Sequence, residues 1–167
     1  MLFRSEVLSR PIPASVPNRT QFENKNIHAF AALRSDGSVV TWGDSSWGGN
    51  SSRVDFDGPA NNLTVTQIFS NVYAFAALRS DGSVVTWGGS LEGGNSYGVD
   101  FDGPANNLAV TQIFSTDDAF AALRSDGSVV TWGDSLRGGN STAVDLDRKS
   151  TRLNSSHSSV SRMPSSA

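Results

Sequence analysis

The stretch that decides the fold is Ala29–Gly43, which reads AFAALRSDGSVVTWG. It recurs without change at Ala74–Gly88 and Ala119–Gly133, so the chain repeats every 45 residues. Within it, Asp36-Gly37 sits between two apolar runs, Ala29–Ser35 and Ser38–Gly43. Asp-Gly between such runs is a strong hairpin signal, because a type I′ turn needs positive φ at both central residues. A two-residue turn there pairs Arg34 with Val39, Leu33 with Val40, Ala32 with Thr41 and Ala31 with Trp42. Ala29, Ala31, Leu33, Val40 and Trp42 then share one face. Phe30, Ala32, Arg34, Val39 and Thr41 share the other. Both faces are largely apolar, whereas a sheet with one wet face alternates more cleanly. The expectation is sheets stacked face to face.

Working outward, Leu63–Ser70 is rich in Thr and β-branched residues and reads as a third strand. Asp44–Arg53 and Asp55–Asn62 carry the Gly, Ser, Asn, Asp and Pro of loops, with a weak fourth strand near Val54–Phe56. Each unit therefore reads as one group of three or four antiparallel strands. The expected organisation is an N-terminal segment 1–28 resembling a degenerate partial repeat, then repeats at 29–73 and 74–118, and a partial repeat at 119–147. A period near 45 built from short strands points to a propeller or a solenoid. The fold class read from the sequence is all-β, a β-propeller-type repeat array of about two and a half blades forming an incomplete ring.

Leu33, Asp36-Gly37, Val40 and Trp42-Gly43, followed by Gly48-Gly49-Asn50 and Val65-Thr66-Gln67-Ile68, resemble the repeat of the regulator of chromosome condensation family. The pattern is closer to its short bacterial versions, including the β-lactamase-inhibitory-protein propellers. The resemblance covers roughly Thr20–Asp147 and departs from the family in one place: the usual Gly-Gln-Leu-Gly is here Gly48-Gly49-Asn50-Ser51. It implies a propeller blade, and propellers close with roughly 4–8 blades. It implies no particular activity, since such propellers serve unrelated partners. The guanine-nucleotide exchange known in the eukaryotic members is not carried over, because no matching motif is present.

After Asp147 the repeat gives way to a Ser-rich basic tail. Asp147–His157 and Ser161–Ala167 both match, in one frame, the translation of a common short-read sequencing adapter. Residues 148–167 are accordingly read as a disordered, non-native tail, and the chain as a fragment of a longer multi-repeat protein. The full chain carries 13 Lys+Arg and 16 Asp+Glu, a net charge of −3. Arg148, Lys149, Arg152 and Arg162 are the only charged residues of the tail, so the remainder carries −7. That balance gives no reason to expect nucleic acid. Met1–Thr20 lacks the apolar core of a signal peptide, and no apolar run reaches the roughly 20 residues of a membrane span. No membrane association is expected, and no localisation is assigned.

The search for chemistry excludes more than it finds. Cysteine is absent, so thiolate metal sites and Cys nucleophiles are excluded. His28 is the single histidine outside the tail and reads as a half-buried residue at a strand entrance. No nucleophile is paired with a base, so a catalytic site is not expected, and no cofactor is implied. Asp55 and Asp57, repeated as Asp100 and Asp102, have the spacing of oxygen ligands for calcium. They lack the remaining ligands of a calcium loop and suit turns equally well. Trp42, Trp87 and Trp132 share one register and read as packing between sheets.

Units one and two differ only at positions 44, 46, 47, 52, 53, 64, 71, 72 and 73, counted in unit one. Those are positions the shared architecture does not dictate, and Trp, Tyr and Arg are the usual interface anchors. Candidate partner-binding residues are therefore Trp47, Arg53, Tyr73, Glu92, Tyr97 and Arg137. The leading reading is a non-catalytic protein-binding or scaffold module. The alternatives are a purely structural repeat of a large surface or adhesin-like protein and a non-catalytic part of an enzyme. Incomplete closure also predicts self-association through exposed blade edges.

Overall fold

The computed structural model describes residues 25–144. The proposed tail 148–167 and most of segment 1–28 lie outside them. The described residues form eight strands: β1 (Ala29–Leu33), β2 (Val39–Gly43), β3 (Val65–Ser70), β4 (Ala74–Arg79), β5 (Val84–Gly88), β6 (Val110–Ser115), β7 (Ala119–Arg124) and β8 (Val129–Gly133). They make three antiparallel sheets, β1-β2, β3-β4-β5 and β6-β7-β8. The architecture is all-β, with only short helical turns at Ser45–Trp47, Ser90–Gly94 and Ser135–Gly139.

Three features correct the sequence reading. The hairpin register is shifted by one residue: Phe30 pairs with Trp42, Ala31 with Thr41 and Leu33 with Val39. Only Gly37 has positive φ, +82°, and Asp36 does not, so a type I′ turn is not available. Instead Arg34 N–H donates to the Ser38 carbonyl at 2.9 Å and Gly37 N–H to the Arg34 carbonyl at 3.0 Å. This is a three-residue connection closed by a left-handed glycine. The Asp36 carboxylate stiffens it by accepting from both Ser38 N–H, at 3.0 Å, and Ser38 Oγ, at 2.7 Å.

The second correction concerns strand partners. Leu63–Ser70 does not complete the hairpin before it. Its ordered part, β3, pairs with β4 of the following hairpin, and β6 likewise pairs with β7. The short link Asn71–Tyr73 decides this, because it leaves β3 and β4 adjacent, while the long loop Asp44–Asn62 separates β2 from β3. Sequence repeat and sheet are thus offset from one another. Third, Val54–Phe56 forms no strand. Val54 and Phe56 pack as loop residues on the core.

The shifted register sets the faces. In the second sheet Ala74, Ala76, Leu78 and Val84 turn toward the third, where they meet Val110, Ile113, Phe120, Ala122 and Trp132. Phe75, Ala77, Val85 and Trp87 turn the other way, onto Ala29, Ala31, Leu33 and Val39 of the first sheet. Alanines on one side let the Phe–Trp pairs of the next sheet approach closely. Phe75 stacks on Trp87 at 5.2 Å between ring centres, with Phe56 edge-on to Trp87 at the same distance. Phe120, Trp132 and Phe101 repeat the arrangement. Full burial of such a ring contributes about 1.5–3 kcal/mol.

Candidate functional site

Trp47, Tyr73, Glu92 and Arg137 are positioned by one side chain at the entrance to each hairpin. Asn71 is buried, and its Oδ1 accepts from Tyr73 N–H at 3.0 Å and Ala74 N–H at 2.7 Å. Its Nδ2 donates to the Glu92 carbonyl at 2.5 Å. Asn26 does the same for His28 and Ala29, and reaches the Trp47 carbonyl at 2.9 Å. In the third unit Thr116 Oγ1 accepts from Asp118 and Ala119 N–H and donates to the Arg137 carbonyl at 3.1 Å. Each entrance is thereby tied to the helical turn that follows its hairpin.

That tie brings two sets of non-repeated positions together. His28, Tyr73 and Asp118 occupy one equivalent position, and Trp47, Glu92 and Arg137 the other. Trp47 lies 4.8 Å from Tyr73 and 5.6 Å from His28 between ring centres, and His28 stacks on Tyr73 at 5.6 Å. The Trp47 ring and the Glu92 carboxylate both lie over Gly89, within 3.0 Å of where a Cβ there would project. Units one and three carry Asp44 and Asp134 at that position, and both aspartates cap their helical turns. Arg137 Nη1 meets Asp118 Oδ2 at 2.6 Å, and its Nε lies 3.9 Å from Asp134 Oδ2. The Asp118 bond, then the charges of Asp118 and Asp134, hold the Arg137 guanidinium above the ordinary arginine range.

Of the sequence candidates, Trp47, Tyr73, Glu92 and Arg137 belong to these entrance clusters. Arg53 and Tyr97 lie on the following loop, both exposed, and among the described residues no ring contact or ion pair joins them to the clusters. His28 is exposed and stacked rather than half-buried. The sequence reading missed Asp118 and the tie residues Asn26, Asn71 and Thr116. Counting the repeat from Ala29 hid His28 as the counterpart of Tyr73. The position is variable, and that signal was legible in the sequence.

The calcium candidates act as turn formers. Asp55 Oδ1 accepts from Gly58 N–H at 2.8 Å, and Asp100 Oδ1 from Gly103 N–H at 2.7 Å. The backbone carbonyls of Asp57 and Asp102 close the next turn. Among the described residues no three or more His, Cys, Asp or Glu side chains gather in one place.

No protein-family model matches the chain, and no curated protein does. Among solved structures the chain is similar to the crystal structure of human WBSCR16, at 24% identity and a TM-score of 0.48. The match covers 66% of this chain and 33% of that one, so this chain spans about a third of its length.

Proposed function

We propose that the sheets are blades of a propeller-type array and that the array is a non-catalytic module binding a protein partner through its hairpin-entrance face. One observation carries the reading. A framework repeated almost residue for residue holds, at one end of its strands, paired positions that differ in every unit: His28 with Trp47, Tyr73 with Glu92, and Asp118 with Arg137. Aromatic and Arg side chains on a rigid support are the composition of interface anchors.

The blade reading has its own support. Lys25 N–H donates to Ser70 Oγ at 2.8 Å, Ser115 Oγ to the Ser70 carbonyl at 2.9 Å, and Lys25 Nζ to the Ser115 carbonyl at 3.0 Å. Three equivalent positions are thus hydrogen-bonded to one another, an arrangement that fits sheets fanned about a common axis.

Panning a random peptide library against the full chain tests the proposal. Enriched peptides should bind a Trp47→Ala/Tyr73→Ala/Arg137→Ala variant at least tenfold more weakly. Their affinity should be unchanged for Ser35→Glu, at the opposite end of the strands. Peptides that bind both variants alike, or no enrichment, would overturn it.

A further inference from the structure

The same sheet-on-sheet interface is used twice within the chain, and its two halves are left open at the ends of the described array. Phe75 and Trp87 are 1% and 4% exposed, because the first sheet covers them; Phe120 and Trp132 are covered alike by the second. Their counterparts Phe30 and Trp42 are 52% and 50% exposed. The opposite face shows the complementary pattern. Ala76 is fully buried and Leu78 nearly so, whereas Ala121 and Leu123 of the third sheet are only half-buried.

The glycines of the helical turns mark the same contact. A Cβ at Gly48 would strike the Phe75 ring at 2.6 Å, and one at Gly93 the Phe120 ring at 2.7 Å. At Gly138 the nearest atoms are Thr116 Cγ2 and Ala119 Cβ, at 3.6 and 3.9 Å, both from its own unit. The carbonyls of Gly48 and Gly93 accept the indole N–H of Trp87 and Trp132, each 39 residues later. Gly138 is next in that series.

We propose that the Phe30/Trp42 face of one copy docks head to tail on the Ala121/Leu123/Gly138 face of a second copy of this chain. Phe30 then fills the space over Gly138, and the Trp42 indole N–H donates to the Gly138 carbonyl. A second copy fits because it presents the surface that already packs there twice, in shape, apolarity and hydrogen-bond register. Such an interface is heterologous, so assembly continues until the array closes or the chains run out. The inference rests on sheet stacking and not on the hairpin-entrance face, so the two proposals fail separately.

Sedimentation velocity on the full chain should show mass rising with concentration. Trp42→Glu removes one half of the interface and Ala121→Arg the other, so each variant alone should remain monomeric. Mixed together they should form a one-to-one dimer that grows no further, because each retains the half the other lacks. Near-ultraviolet circular dichroism verifies that each variant is folded, and Phe30→Glu with Leu123→Glu is a second complementary pair. A wild-type chain that stays monomeric, or folded variants that do not combine on mixing, would overturn the proposal.

Discussion

The Trp87 indole N–H donates to the carbonyl of Gly48 at 3.2 Å, joining the second sheet to the turn that follows the first. Trp132 and Gly93 repeat the bond at 3.1 Å. Each bond lies within the apolar packing between sheets, where a carbonyl without a donor costs about 1–3 kcal/mol. Trp87→Phe should lower stability by that amount, read by urea unfolding of dilute, monomeric protein. Trp42→Phe should change it by less than about 0.5 kcal/mol, because Trp42 lies half exposed at the end of the described array. Equal losses at both positions would contradict the packing described.

Asn71 offers a second test. It satisfies two entrance N–H groups and holds the Glu92 carbonyl, all from a buried position. Asn71→Ala leaves those groups unpaired and should cost on the order of 2–4 kcal/mol by thermal or urea unfolding. Asn71→Thr should cost no more than about 1 kcal/mol, since one hydroxyl does the same work at Thr116. If Thr proves as damaging as Ala, the equivalence of the two ties is wrong.

The hairpin turns make stability sensitive to acid. The Ser38 hydroxyl, then the Ser38 N–H, hold the Asp36 carboxyl below the ordinary aspartate range, and Ser128 does the same for Asp126. At Asp81 burial is the largest single influence and pushes upward, but the Ser83 bonds and the local backbone outweigh it. A carboxyl depressed on folding contributes stability above its unfolded pKa and loses it as pH falls through the folded one. Replacing Ser38, Ser83 and Ser128 by Ala should therefore lower stability at neutral pH and lessen its further loss below about pH 4. Carboxyl carbon NMR titration should show all three aspartates moving upward; unchanged titration would refute the assignment.

Much of the fold was legible in local sequence. The Asp36-Gly37 signal located the hairpin, but the type of turn was not legible. Asp-Gly serves both two- and three-residue connections, and only the backbone at Asp36 distinguishes them. One residue of slip exchanges the face partners of every side chain on the second strand. That is why Trp42 was expected opposite Ala31 and is found paired with Phe30. At the candidate site the variable positions pointed to Trp47, Tyr73, Glu92 and Arg137. Asn71 escaped notice because a buried amide among loop residues looks like any turn asparagine.

The sequence by itself determined the repeat, the place of each hairpin and the apolar character of both strand faces. These depend on residues a few positions apart, and turn chemistry and side-chain alternation act over that range. Only the tertiary structure decided that β3 joins the following hairpin. It likewise decided that Trp87 is enclosed while the identical Trp42 is not, and that Trp47 meets Tyr73. Identical segments acquire different environments because burial is conferred by the neighbouring sheet, tens of residues away along the chain.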